Sequence, residues 1–194
     1  MTKSIDFYFD FISPYSYLAH KKIDLIKKKK NICFNYMPVL VGGLHNLEGI
    51  TAPAFIKPKL KHMMSDCNLI AKKHGFDFIW NFKFPLNSLS IMRGYLCVNT
   101  ALRGLYLNVM FDAYWKKNLD ISNEKVLKTL LKKCKIDSNN FLNDIKVPKI
   151  KNELKVATKN AHDKGIFGAP TFVVNNKIFW GQDRLEYVLD EYNK

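Results

Sequence analysis

No two of the four cysteines, Cys33, Cys67, Cys97 and Cys134, make a CxxC or metal-type pair, because the gaps between them are 34, 30 and 37 residues. A zinc ribbon and a local dithiol are therefore excluded. Each thiol lies in an apolar stretch, as buried free cysteines usually do, which points to a reducing compartment and a cytoplasmic location. Runs of about 18 apolar residues are absent, and Asp6 and Asp10 interrupt the apolar start, so neither a membrane span nor a secretory leader is expected. The chain has no P-loop, GxGxxG or HExxH, which leaves nucleotide and zinc chemistry without a basis. Acidic residues are scarce, 17 against 31 Lys and Arg, for a net charge of +14. A field of that sign favours anionic partners. Runs such as Lys116-Lys117 and Lys132-Lys133 read as solvated helix faces, and no basic stripe alternates with exposed aromatics, so a nucleic-acid partner is not expected.

What is present suits a soluble chain with a real core: 194 residues, 47% hydrophobic, 13% aromatic and 25% charged. That length holds one domain, or a small core carrying a large insertion. Ile5, Phe7, Phe9 and Phe11 alternate with Asp6, Tyr8 and Asp10, which predicts a strand over residues 5–12. Ser13 and Pro14 then stand at the cap and first position of a helix whose apolar residues include Leu18, Ile23 and Ile26. Residues 32–40 read as a second strand, closing a βαβ unit.

From about Gly42 to His162 the period is 3.6. Helices are expected from Leu60 to Gly75 and over residues 88–102, 106–116, 123–134 and 149–162, with turns at 118–120 and 137–140. Residues 171–174 and 177–180 flank Asn175-Asn176, a hairpin signal, and a short amphipathic helix ends the chain. The order is βαβ, a helical block of about 120 residues, then αββα. Without the block this is the thioredoxin arrangement. The expected fold class is therefore α/β, thioredoxin-like with a large all-helical insertion: residues 1–41 and 163–194 form the thioredoxin-like part and 42–162 the insertion.

Three places converge if that topology holds. Ser13-Pro14-Tyr15-Ser16 occupies the turn where thioredoxin-like disulfide exchangers keep Cys-x-x-Cys. Both thiols are missing, so the chain cannot attack a disulfide there. Two roles fit Ser13: a plain helix cap, or part of an anion receptor with the free N–H groups of the helix start. Gly168-Ala169-Pro170-Thr171 puts a proline just before a strand, in either a trans bond or a cis bond that offers the Ala169 backbone to an extended ligand. Gly181-Gln182-Asp183-Arg184 precedes the last helix, where Asp183 is either an N-cap or a partner for a ligand ammonium.

The stretch Phe7-Tyr8-Phe9-Asp10-Phe11-Ile12-Ser13-Pro14-Tyr15-Ser16-Tyr17-Leu18-Ala19 resembles the opening of the 2-hydroxychromene-2-carboxylate isomerase family, close relatives of kappa-class glutathione transferases. The resemblance continues through Phe84-Pro85-Leu86-Asn87-Ser88 with Arg93-Gly94, through Gly165 to Phe172, and through Phe179-Trp180-Gly181-Gln182-Asp183-Arg184-Leu185. It implies glutathione bound between a thioredoxin-like part and a helical part, and usually a homodimer. Ser13 would then donate a hydrogen bond to the glutathione sulfur, and Ala169 would pair with the cysteinyl unit beside a cis Pro170. Gln182 and Asp183 would hold the γ-glutamyl end, and Lys59 matches a family lysine near the ligand. Where the family commonly has asparagine in Gly-Asn-x-Pro-Pro, this chain reads Gly49-Ile50-Thr51-Ala52-Pro53, which changes the acceptor side more than the glutathione side.

Three functions follow. The first is an isomerase that adds a bound glutathione thiolate reversibly to an unsaturated 2-oxo acid, its partner being a small aromatic or unsaturated carboxylate. The second is a kappa-class transferase or peroxidase using the same thiolate. The third is a non-catalytic thioredoxin-like binding module.

Overall fold

The computed structural model describes residues 3–30 and 32–194. Residues 1, 2 and 31, and with them the first two positions of the leader and domain expectations, lie outside the described residues. The alternating apolar residues near the start form β1 (Ser4–Phe9), shorter than expected because the chain turns away at Asp10. α1 (Pro14–Lys29) follows, and β2 (Cys33–Pro38) pairs with β1 in parallel, placing Phe7 opposite Tyr36. Near the carboxyl end, β3 (Thr171–Val174) and β4 (Lys177–Trp180) form the expected hairpin. Asn175 and Asn176 both take positive φ, 49° and 60°, the turn that matches strand twist. β3 runs antiparallel to β1, so the sheet order is β2-β1-β3-β4 and β1 lies inside it.

An inner strand buries both faces, and β1 does so: Ile5, Phe7 and Phe9 are sealed on one side and Tyr8 on the other. The Tyr8 face is covered by α2 (Val41–Leu47) and α8 (Pro148–Asp163) through Val39, Leu44, Ala161 and Ile166. Thr158 fastens the cover, its Oγ1 accepting from Leu40 N at 3.0 Å and donating to the Leu154 carbonyl at 2.9 Å. The other face carries α1 and the aromatic core of the helical block. α3 (Lys57–His74), preceded by a 3₁₀ turn at Pro53–Phe55, α4 (Leu89–Cys97), α5 (Thr100–Trp115), α6 (Glu124–Lys133) and α7 (Ser138–Asp144) complete the block. α9 (Leu185–Tyr192) closes the chain. One continuous core runs from Phe7 and Phe9 through Phe11, Tyr106 and Phe111 to Trp115, whose Nε1 donates to the Phe11 carbonyl at 2.8 Å. Each such buried aromatic contributes on the order of 2–3 kcal/mol of apolar transfer.

The structure corrects four expectations. The helix expected over 88–102 breaks at Val98-Asn99, because Asn99 Oδ1 caps α5 by accepting from Ala101 N at 2.9 Å. Arg103 then reaches back to the last carbonyls of α4, Val98 at 3.2 Å and Leu96 at 3.1 Å. The turn expected at 137–140 is instead a helix start: Asp137 Oδ1 accepts from Asn140 N at 2.7 Å and caps α7. Between α3 and α4 the block is irregular, not helical. This arm wraps Phe78, Trp80 and Phe84 around Trp115 and includes a cis Phe84-Pro85 bond. Finally, only Cys67 and Cys134 are buried, whereas Cys33 is exposed on β2 and Cys97 half-buried.

Candidate functional site

The loop from β1 to α1 is built on Asp10. Its carboxylate accepts from Ile12 N at 3.2 Å and from Val41 N, the first residue of α2, at 3.0 Å. Ser13 N donates to the Asp10 carbonyl at 3.0 Å, so one buried residue fixes both the turn and the start of α2. Burial raises Asp10 from the ordinary carboxylate range to about 6, opposed by the Val41 and Ile12 N–H groups and the Ser88 hydroxyl.

Ser13 emerges from that loop as the N-cap of α1, with Pro14 at the first helical position. Its Oγ accepts from Ser16 N at 3.1 Å and donates to the Ala169 carbonyl at 2.9 Å, a bond spanning 156 residues. The Ala169-Pro170 bond is cis, as the resemblance implies. The Ala169 carbonyl is therefore not simply free for a ligand: it holds the serine proton, and an incoming acceptor must compete for it. Ser16 Oγ, where an exchanger would keep its second thiol, is sealed with no hydrogen-bond partner among the described residues.

Gly181 N donates to the Pro170 carbonyl at 3.0 Å, which hangs the third segment beside the second. Gly181 takes φ 115°, and a Cβ there would stand 2.5 Å from Asp183 Oδ1, so the tight turn needs glycine. Asp183 pairs with Arg184 at 3.1 Å. Gln182 is buried and bound by Lys22 of α1, whose Nζ lies 2.5 Å from Oε1 and 3.3 Å from the Gln182 carbonyl. Desolvation lowers the Lys22 ammonium from its ordinary range, while Asp183 acts in the opposite direction.

Of the six residues expected at the site, Ser13, Ala169 and Pro170 thus meet directly, and Gln182 and Asp183 adjoin them through Gly181. Lys59 stands exposed in the first turn of α3 and makes no hydrogen bond or ion pair among the described residues. Sequence reasoning missed two residues that build the site. Asp10 carried a signal, a carboxylate inside an apolar strand. Lys22 carried none, since it is one lysine among many on α1.

Three of the chain's own thiols are poor nucleophiles, and the fourth is remote. Burial pushes Cys97 and Cys134 up to about 11 and Cys67 higher still. Cys33 pairs with Ser4, at the end of the sheet away from Ser13, roughly 15–20 Å along the strand. Among the described residues no helix is long and apolar enough to cross a membrane, and no group of His, Cys, Asp or Glu could hold a metal ion.

Comparison with known proteins agrees with this fold. The chain is 28% identical over 195 residues to a 2-hydroxychromene-2-carboxylate isomerase of Sphingobium xenophagum, covering 97% of both chains. It is 26% identical over 208 residues to human glutathione S-transferase kappa 1, covering 96% of this chain and 89% of the relative. A solved 2-hydroxychromene-2-carboxylate isomerase superposes with a TM-score of 0.89 at 24% identity, over 96% of this chain and 92% of that one, which shows the shared fold. With a four-stranded sheet, nine α-helices among the described residues, and a family match spanning residues 4–193, the chain belongs to the DsbA-like thioredoxin domain family.

Proposed function

We propose that this chain is a glutathione-dependent isomerase of the 2-hydroxychromene-2-carboxylate type. The observation that carries the reading is the Ser13 hydroxyl, held between α1's first turn and the Ala169 carbonyl, with no protein thiol in the turn. A hydroxyl proton at the start of α1, beside the Tyr15 N–H, the one first-turn donor not already taken by Ser13, suits an anionic group such as a thiolate. Bound glutathione would supply the nucleophilic thiol, for reversible addition to an unsaturated 2-oxo acid. The protein's part is to turn the Ser13 proton from Ala169 toward the sulfur, offer the Ala169 backbone to the cysteinyl unit, and grip the γ-glutamyl end with Gln182 and Asp183. Lys59, exposed and cationic at the start of α3, is a clamp for the carboxylate of a small aromatic or unsaturated acid, and the +14 surface steers anions inward. The reading includes a homodimer and a reducing, cytoplasmic setting that keeps four thiols free.

A kappa-class transferase is the second reading, because Ile50, 48% exposed where the family commonly keeps a polar asparagine, leaves the identity of the acceptor open. Product analysis separates the two. An isomerase returns its glutathione, whereas stoichiometric consumption with an electrophile makes the chain a transferase. Calorimetry on the pure protein tests both, since absence of glutathione uptake removes the enzymatic account altogether.

A further inference from the structure

Lys22 and Gln182 meet across 160 residues, from the third turn of α1 to the loop before α9. A lysine ammonium has donors and no acceptor, so the Gln182 side-chain atom facing Nζ at 2.5 Å must be the carbonyl oxygen, Oε1. The second Lys22 bond, 3.3 Å to the Gln182 backbone carbonyl, fixes the lysine over the same residue. The carboxamide therefore has one permitted orientation. Its nitrogen, Nε2, donates to none of the described residues, and it keeps access to solvent although the residue as a whole is only 8% exposed.

From this geometry we infer that Lys22 is a positioning residue, which locks the Gln182 carboxamide so that a hydrogen-bond donor faces the carboxylate of the γ-glutamyl unit. The inference rests on the glutathione reading above and deepens it. Without Lys22 the amide is free to flip, presenting an oxygen to an anionic group as readily as a nitrogen. The pairing has a second effect: it holds a cation beside Gln182, with Asp183 and Glu186 favouring the charged form and burial and Lys73 working against it. The site then discriminates sign, offering Gln182 Nε2 and the Lys22 charge to the carboxylate and Asp183 to the ammonium.

Calorimetric titration of glutathione into the full chain and four variants tests this. Lys22→Met and Gln182→Ala should each weaken glutathione roughly tenfold, and the double variant should be no weaker than about tenfold, because the two residues act through one group. Lys22→Arg, another donor-only cation, should restore affinity to within about threefold of wild type, which a loss of packing alone would not explain. Circular dichroism establishes that each variant is folded. Wild-type affinity in Lys22→Met, or losses that multiply to about a hundredfold in the double variant, would overturn the inference while leaving the glutathione reading intact. A wild-type protein that takes up no glutathione would overturn both.

Discussion

Replacing Ser13 by alanine and, separately, by glycine resolves its two jobs. A free thiol ionises near 8.5, so half ionisation near pH 7 requires a shift of roughly 1.5 units, or about 2 kcal/mol. In the structure the Ser13 proton already sits on the Ala169 carbonyl at 2.9 Å. Turning it to a thiolate exchanges a neutral hydrogen bond, about 1 kcal/mol, for a charged one of about 1.5–3 kcal/mol. The net gain is roughly 1 kcal/mol, or about 0.7 of a pKa unit, and the start of α1 must supply the rest. Both variants lose the hydroxyl and the Ala169 bond, so both should raise the bound thiol's pKa by about 0.5–1 unit. They differ in the cap that Oγ provides to Ser16 N at 3.1 Å. Alanine should cost about 1 kcal/mol of stability there, glycine only a few tenths. Thiolate absorbance of the glutathione-saturated proteins, titrated with pH, reads the first effect, and urea unfolding reads the second. If the bound thiol titrates in both variants as in wild type, Ser13 is a cap and nothing more.

The buried Asp10 predicts a pH-dependent stability. Its folded value of about 6 exceeds an ordinary 3.8, so the folded chain holds this proton more tightly, and its contribution is full below about pH 4 and lost as pH rises through about 6. That loss is on the order of 3 kcal/mol, and Asp10→Asn should flatten it; denaturant unfolding at pH 4 and pH 7 would contradict this if the variant kept the wild-type difference. Two helical glycines should respond oppositely to alanine. At Gly94 a Cβ would stand 2.2 Å from Phe141 and 2.5 Å from the Tyr106 hydroxyl, so Gly94→Ala should cost about 1–3 kcal/mol. At Gly104 nothing lies within 4 Å, so Gly104→Ala should raise stability by about 0.4–1 kcal/mol, both read from thermal melts.

What was legible in the chain was local. Strand alternation, the Ser13-Pro14 cap and the Asn175-Asn176 turn are set by neighbours a few residues apart, and each was found where expected, β1 only ending early at Phe9. The helix boundaries that failed did so where a polar cap interrupts an unbroken apolar period. Asn99 and Asp137 look like any loop residue until their side chains are seen accepting backbone N–H groups. The arm around Trp115 was illegible for another reason, because its aromatics carry no period and their partner lies some 30 residues on.

The candidate site divides the same way. Ser13, Ala169, Pro170, Gln182 and Asp183 are loop residues at fixed points of a known topology, so the order of elements alone brings them together. Lys22 belongs to the site only because α1 and the loop before α9 cross, and the lysine's neighbours along α1 say nothing of that crossing. Gly94 is similar: no turn demands glycine inside α4, and the need for it arises from Phe141 and Tyr106, which pack in from two other helices. Side chains that act through partners distant in sequence leave no periodic or motif signal. Residues that orient the site are therefore harder to find in the sequence than residues that would touch the ligand, and Lys22, whose ammonium is hydrogen-bonded to Gln182, is the case where the difference is measurable.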